Sequence, residues 1–213
     1  MDILQVITQE LGVQKWQVEA AVKLIDEGNT IPFISRYRKE ATGTLNDEQL
    51  RNLNERLTYL RNLEDKKNQV LSSIEDQGKL TEELKAQILA AQTLVVVEDL
   101  YRPYRPKRRT RATIAKEKGL EPLANIIMLQ MTGKSIEEEA EAFVSEEKEV
   151  ASVADAIAGA KDIIAEHISD EADYRIHIRD LTAKKGTISS TAKDPEAQSV
   201  YEMYYDFEEP VKK

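Results

Sequence analysis

Six basic residues crowd the ten positions from 102 to 111: Arg102, Arg105, Lys107, Arg108, Arg109 and Arg111, with no acidic residue among them. The chain carries −9 in total, so removing these six positive charges leaves −15 for everything else. A cationic run of this density attracts phosphate, because Arg and Lys that neutralise phosphates release condensed counterions. The competing partner is carboxylate, either the chain's own or that of another domain. Tyr101 and Tyr104 interleave with the arginines and offer rings on which bases can stack. Pro103 and Pro106 fix the backbone and deny it a helix, so the run reads as an ordered basic loop. Residues 132–173 hold 13 acidic and 3 basic residues, net −10, and are the nearest source of carboxylates for a clamp. Both partners stay open at this point.

Other residues with chemical potential have plainer roles. Function could reside in Arg36, Arg38 and Lys39, a second, smaller basic group; the plainer role is that they pair with carboxylates and hold a turn between helices, with Ile31, Phe33 and Ile34 as its apolar anchor. Thr132-Gly133-Lys134-Ser135 looks like the end of a P-loop. That motif needs a glycine where Met128 stands, and it follows a strand, whereas this follows a helical pattern. Ser135 serves instead as a helix cap. His167 and His177 lie ten residues apart, with no cysteine in the chain to complete a zinc site. No nucleophile elbow, zincin motif or dinucleotide fingerprint is present. The expectation is no catalysis, no metal and no cofactor. Trp16 reads as core or as a contact with a further domain, and Tyr201, Tyr204, Tyr205 and Phe207 as an aromatic cluster near the end of the chain.

The elements that must position these residues are helical. Glycine and proline together number only 14, a composition that favours long helices over turns and sheets. Residues 2–11 and 15–27 read as helices stopped by Gly12 and Gly28. Asn46, with Gln49 three residues on, starts a long helix that runs to Gly78. Leu50, Leu53, Leu57 and Leu60 step by 3, 4 and 3 along it, a heptad-like seam. Helices are expected at about 82–91, 113–118, 121–131, 149–168 and 171–183, with another capped by Ser135; between them, the three valines of Leu94 to Val97 favour a strand while the spacing Leu94, Val97, Leu100 or Tyr101 suits a helix, and both stay open. Residues 184–199 are polar and read as a mobile connection. Without cysteine, a signal-peptide pattern or an 18-residue apolar run, the chain is expected in the cytoplasm and away from membranes.

Four segments carry a family resemblance: residues 30–50 (TIPFISRYRKEATGTLNDEQL), 98–124 (EDLYRPYRPKRRTRATIAKEKGLEPLA), 153–180 (VADAIAGAKDIIAEHISDEADYRIHIRD) and 201–213 (YEMYYDFEEPVKK). In this order they resemble Tex, the bacterial transcription accessory protein family with an S1 RNA-binding domain. The resemblance spans nearly the whole chain. It implies the N-terminal helical part of Tex, with the family's RuvC-like fold, helix-hairpin-helix modules and RNA-binding OB-fold lying outside this sequence. It also implies a helix-turn-helix unit in this region.

The resulting expectation is an all-α protein in which a long spine helix packs shorter helices and a helix-turn-helix-like subdomain. Residues 1–69 form an N-terminal segment and 70–131 the subdomain with the basic loop. Residues 132–185 form a C-terminal helical segment, and 186–213 link toward a RuvC-like domain. The expected function is a module of a transcription accessory protein that contributes phosphate contacts to RNA or DNA. Those contacts would come from Arg102, Arg105, Lys107, Arg108, Arg109 and Arg111, with Tyr101 and Tyr104 stacking. Binding should be weak and sequence-blind, since phosphate contacts position without reading bases. The transcription machinery and later domains of the same chain are the other expected partners. The alternative is a structural scaffold or protein-docking module with no nucleic-acid contact.

Overall fold

The computed structural model describes residues 1–212 and divides the chain into two compact units, Met1–Val97 and Glu98–Lys213. The division falls inside the 70–131 segment drawn from the sequence.

The first unit is organised by one long helix. Its helices are α1 (Ile3–Leu11), α2 (Lys15–Asp26), α3 (Ile31–Tyr37), α4 (Asp47–Asp76) and α5 (Glu82–Ala90), and it includes the start of α6 (Leu94–Tyr101). Asn46 starts α4 with a full capping box: its side chain accepts from the Gln49 N–H at 2.8 Å, and the Gln49 side chain accepts from the Asn46 N–H at 3.0 Å. The 30 residues that follow extend about 45 Å at ~1.5 Å per residue. Leu50, Leu53, Leu57 and Leu60 are all buried, and the seam continues through Leu63, Val70 and Ile74. Helices α1, α2, α3 and α5 each pack against α4, as a spine requires. Each fully buried leucine contributes roughly 1.5–3 kcal/mol of apolar burial. The segment 31–34, expected only as the apolar anchor of a turn, is itself the start of a helix, because Pro32 sits in the first turn where its missing N–H costs nothing.

One member of the α4 seam is polar. Lys67 is fully buried, and its Nζ donates to the Leu89 carbonyl at 2.9 Å and lies 3.0 Å from Glu64 Oε1. The Leu89 carbonyl belongs to the last turn of α5, where carbonyls lack helical donors, so Lys67 caps α5 from the spine. Burial pushes the Glu64 carboxyl up, but Lys67 and the chain's amino group outweigh it and hold the pKa below the ordinary value.

The second unit is built on α10 (Val153–Asp170). Helices α7 (Arg111–Glu117), α8 (Glu121–Leu129), α9 (Ile136–Glu141) and α11 (Ala172–Lys185) all pack against it. Its core is made of small and branched residues, among them Ala112, Ala115, Leu120, Leu123, Ala156, Ala160 and Ile163. Gly159 lets α10 approach closely: a Cβ there would stand 2.4 Å from Leu120 Cδ1 and 3.3 Å from Ala115 Cβ. Helix α10 begins at Val153 rather than near 149, because residues 145–150 close a tight turn with a Ser145–Val150 bridge and Glu149 at φ +55°.

The fold is mostly all-α, with one exception that the sequence reading missed. Residues 187–191, expected as part of a mobile connection, form strand β1 (Thr187–Thr191). It pairs antiparallel with β2 (Asp206–Pro210), Ser189 opposite Glu208. The Phe207 ring packs edge-on against Tyr204 with centroids 5.5 Å apart.

Candidate nucleic-acid interface

The basic run begins where α6 ends. Tyr101 is the last residue of α6, and Arg102–Tyr104 make a single 3-10 turn that Pro103 fits. Extended backbone follows to Thr110, whose hydroxyl accepts from the Thr113 N–H at 3.1 Å and so caps α7. Arg111 is therefore the first residue of a helix and not part of the loop.

Helix α10 supplies the loop's partners. Asp162, Glu166 and Asp170 recur every four residues and form one acidic stripe about 6 Å per step along the helix. Asp170 pairs with Arg102 at 3.1 Å and with Lys107. Glu166 accepts from the Thr110 hydroxyl at 2.9 Å and lies 3.5 Å from Lys107. Asp162 lies 3.6 Å from Arg111, whose side chain is nevertheless 86 % exposed. Arg109 pairs with Glu117, the last residue of α7, at 2.7 Å. Arg105 and Arg108 are exposed and have no carboxylate partner among the described residues.

The eight residues singled out from the sequence thus separate into groups. Arg102, Lys107 and Arg111 face α10; Arg109 faces α7; Arg105 and Arg108 face solvent. Tyr101 and Tyr104 are half-buried. Tyr104 and Lys107 form one wall of an open groove of about 680 Å³, floored by Ala124 and Met128 of α8 and Ile163 and Ile164 of α10.

The loop is also anchored from behind. Asp99, on α6 three residues before the run, is buried between two arginines of α11: Arg175 Nε at 2.8 Å and Arg179 at 2.6 Å. Burial pushes the Asp99 carboxyl up, but the two guanidinium groups outweigh it and hold its pKa below the ordinary aspartate value. The sequence analysis missed this triad and the acidic stripe. Both had a readable signal: Arg175 and Arg179 are spaced i, i+4, as are the stripe's carboxylates. Among the described residues no group of three or more His, Cys, Asp and Glu could hold a metal ion. No helix there is long and apolar enough to cross a membrane.

The chain is thus an α-helical scaffold with an arginine-rich loop braced against one of its helices, and comparison with known proteins gives it a family. Residues 1–75 match the Tex-like protein N-terminal domain, and residues 132–213 match the Tex central region. The chain is 48 % identical over 212 residues to the Bacillus subtilis protein YdcI, covering 98 % of this chain and 30 % of the relative. It is 43 % identical over 215 residues to the Neisseria gonorrhoeae transcriptional accessory protein Tex, covering 100 % of this chain and 28 % of the relative. The Homo sapiens S1 RNA-binding domain-containing protein 1 is 29 % identical over 185 residues, covering 86 % of this chain and 18 % of the relative. The chain belongs to the Tex family of transcription accessory proteins. It spans less than a third of the length of these relatives.

Proposed function

We propose that this chain is a nucleic-acid-associated module of a Tex-like transcription accessory protein, holding RNA or DNA by its phosphates in the cytoplasm and performing no catalysis. The observation that carries the reading is that Arg105 and Arg108 have no carboxylate partner among the described residues, in a chain of net −9. Arg102, Lys107 and Arg111 brace the loop so that these two guanidinium groups are presented on a fixed backbone. Tyr104 lines the groove beside them and is the ring best placed for a base. In this reading α7 and α8, joined at Gly119, take the helix-turn-helix role. The names of two relatives, a transcriptional accessory protein and an S1 RNA-binding domain-containing protein, agree with it. The transcription machinery and the later Tex domains are the further partners it implies.

The test is a titration with labelled single-stranded RNA and duplex DNA at two salt concentrations. Binding should be weak and fall steeply with salt. Arg105→Ala/Arg108→Ala should lower the slope of log K against log salt by roughly 0.7–0.9 per lost phosphate contact, equally for all sequences. Its thermal melt should not move, since neither side chain has an ion pair among the described residues to lose. An unchanged slope would remove the loop from the interface.

The pairs to α10 favour a second reading, a scaffold in which the loop exists to hold the unit together. That reading predicts no binding to either nucleic acid at the lower salt.

A further inference from the structure

The arginines of this chain sort into two populations. Of the 12, eight have a carboxylate partner: Arg51, Arg56, Arg61, Arg102, Arg109, Arg111, Arg175 and Arg179. Among the described residues four have none, and they are not scattered. Two are Arg105 and Arg108. The other two, Arg36 and Arg38, lie in the first unit and flank Tyr37, with Lys39 following, also without a carboxylate partner. Residues 28–46 hold three bases and one acid, whereas the rest of Met1–Val97 holds nine bases and fourteen acids. An acidic unit that pairs its other three arginines leaves Arg36 and Arg38 without a carboxylate among the described residues.

Arg36 and Tyr37 end α3, and the turn that follows, with Arg38 and Lys39, is tied down by hydrogen bonds. The Thr42 N–H and hydroxyl both donate to the Arg38 carbonyl at 3.2 Å, with Thr42 fully buried, and the Thr44 N–H donates to the Lys39 carbonyl at 2.8 Å. Gln17 of α2 donates to the Gly43 carbonyl at 2.8 Å, and the Trp16 ring lies so close that a Cβ on Gly43 would stand 2.4 Å from it. Gly43 has φ +60°, a conformation that glycine adopts without strain. Tyr37 is 67 % exposed, and its ring leans on Phe33 at 5.3 Å, with the Arg38 guanidinium 5.3 Å over the Phe33 ring. A helix C-terminus favours a nearby cation, but α3 has only seven residues, and Lys39 lies beyond its end.

We propose that the end of α3 and the turn after it form a second, separate phosphate-binding surface that takes single-stranded nucleic acid, with Arg36, Arg38 and Lys39 on the phosphates and Tyr37 stacking a base. The chemistry that selects a single strand is the ring among the cations. A base can lie on Tyr37 only if it is unstacked from its neighbours, which a duplex does not offer. Preorganisation of the turn lowers the ordering cost that flexible cations would pay on binding.

The probe is a labelled oligo-uridine single strand carrying iodouridine, with a duplex DNA of the same length for comparison. Irradiation should crosslink the strand to Tyr37, mapped by mass spectrometry, and should still do so in Arg105→Ala/Arg108→Ala. Arg36→Gln/Arg38→Gln/Lys39→Gln should lower the salt slope by about 0.7 per lost contact. Tyr37→Ala should weaken the single strand by roughly 5- to 150-fold with little change in slope, Tyr37→Phe should restore it, and duplex affinity should not respond to either. Crosslinks confined to residues 101–111, with the slope unmoved by the triple variant, would overturn this surface and leave the basic loop standing. Equal losses of single strand and duplex on Tyr37→Ala would overturn the stacking role. Tyr37 carries no ion pair and is exposed, so its variants test the proposal even if the triple variant folds poorly.

Discussion

Asp99 shows how one residue's charge is tied to the fold. Its pKa is held below the ordinary aspartate value of about 3.9 by Arg175 and Arg179 against the opposing effect of burial. A depressed carboxylate contributes stability that is complete above the unfolded value and is lost as pH falls through the folded one. Asp99→Asn should therefore cost stability at neutral pH and flatten the acid limb of a stability–pH profile below about pH 4. An acid limb as steep as the parent's would show that other carboxylates set it. Lys107 presents a milder case. It shares Asp170 and Glu166, and Lys107→Ala should cost up to about 1 kcal/mol, a loss that added salt reduces. Arg105→Ala, with no pair to break, should stay within about 0.5 kcal/mol of the parent. Chemical denaturation of both variants at two salt concentrations separates them.

At the scale of elements, the apolar periodicity was the readable part. The α4 seam follows from leucines at steps of 3 and 4, and Leu57→Ala should cost ~2–5 kcal/mol by urea denaturation, since Leu57 is buried. The caps at Asn46 and Ser135 were legible because a side-chain oxygen just before a helical pattern can accept from that helix's orphan N–H groups. Helix α3 was not legible, because seven residues beginning with Ile-Pro carry too short a pattern to separate a helix from a loop. Strand β1, TISST, was hidden because it is exposed throughout and has no buried face to impose alternation. The basic loop could be found from charge density alone. Which of its cations are paired could not, because Asp170 lies 68 residues from Arg102. Gly159 illustrates the same limit. In isolation alanine is the better helix former by ~1 kcal/mol, yet the Leu120 and Ala115 side chains leave no room. Overpacking of this kind costs ~1–3 kcal/mol. Gly159→Ala should thus lose up to about 2 kcal/mol net, and a stabilised variant would show that α7 and α10 can part at no cost.

For the whole molecule, two cores mean that stability is not one number. Amide exchange should be faster in β1, whose residues are all exposed, than along the buried seams of α4 and α10. Mass-spectrometric exchange that found β1 as protected as α4 would contradict this. The turn at Gly43 has a practical consequence, for the ring that fills the space beside it is the only tryptophan in the sequence. Indole fluorescence from this chain is thus a signal from Met1–Val97 alone, whereas far-ultraviolet dichroism sums the helices of both units. Leu57→Ala should shift the fluorescence-detected unfolding curve. Gly159→Ala should shift the dichroism curve and leave the fluorescence curve in place, unless the two units melt as one. The same emission should respond when a strand settles on Tyr37, since the Trp16 ring packs beside Gly43 in the turn that follows it, so an unlabelled protein reports whether the end of α3 is occupied.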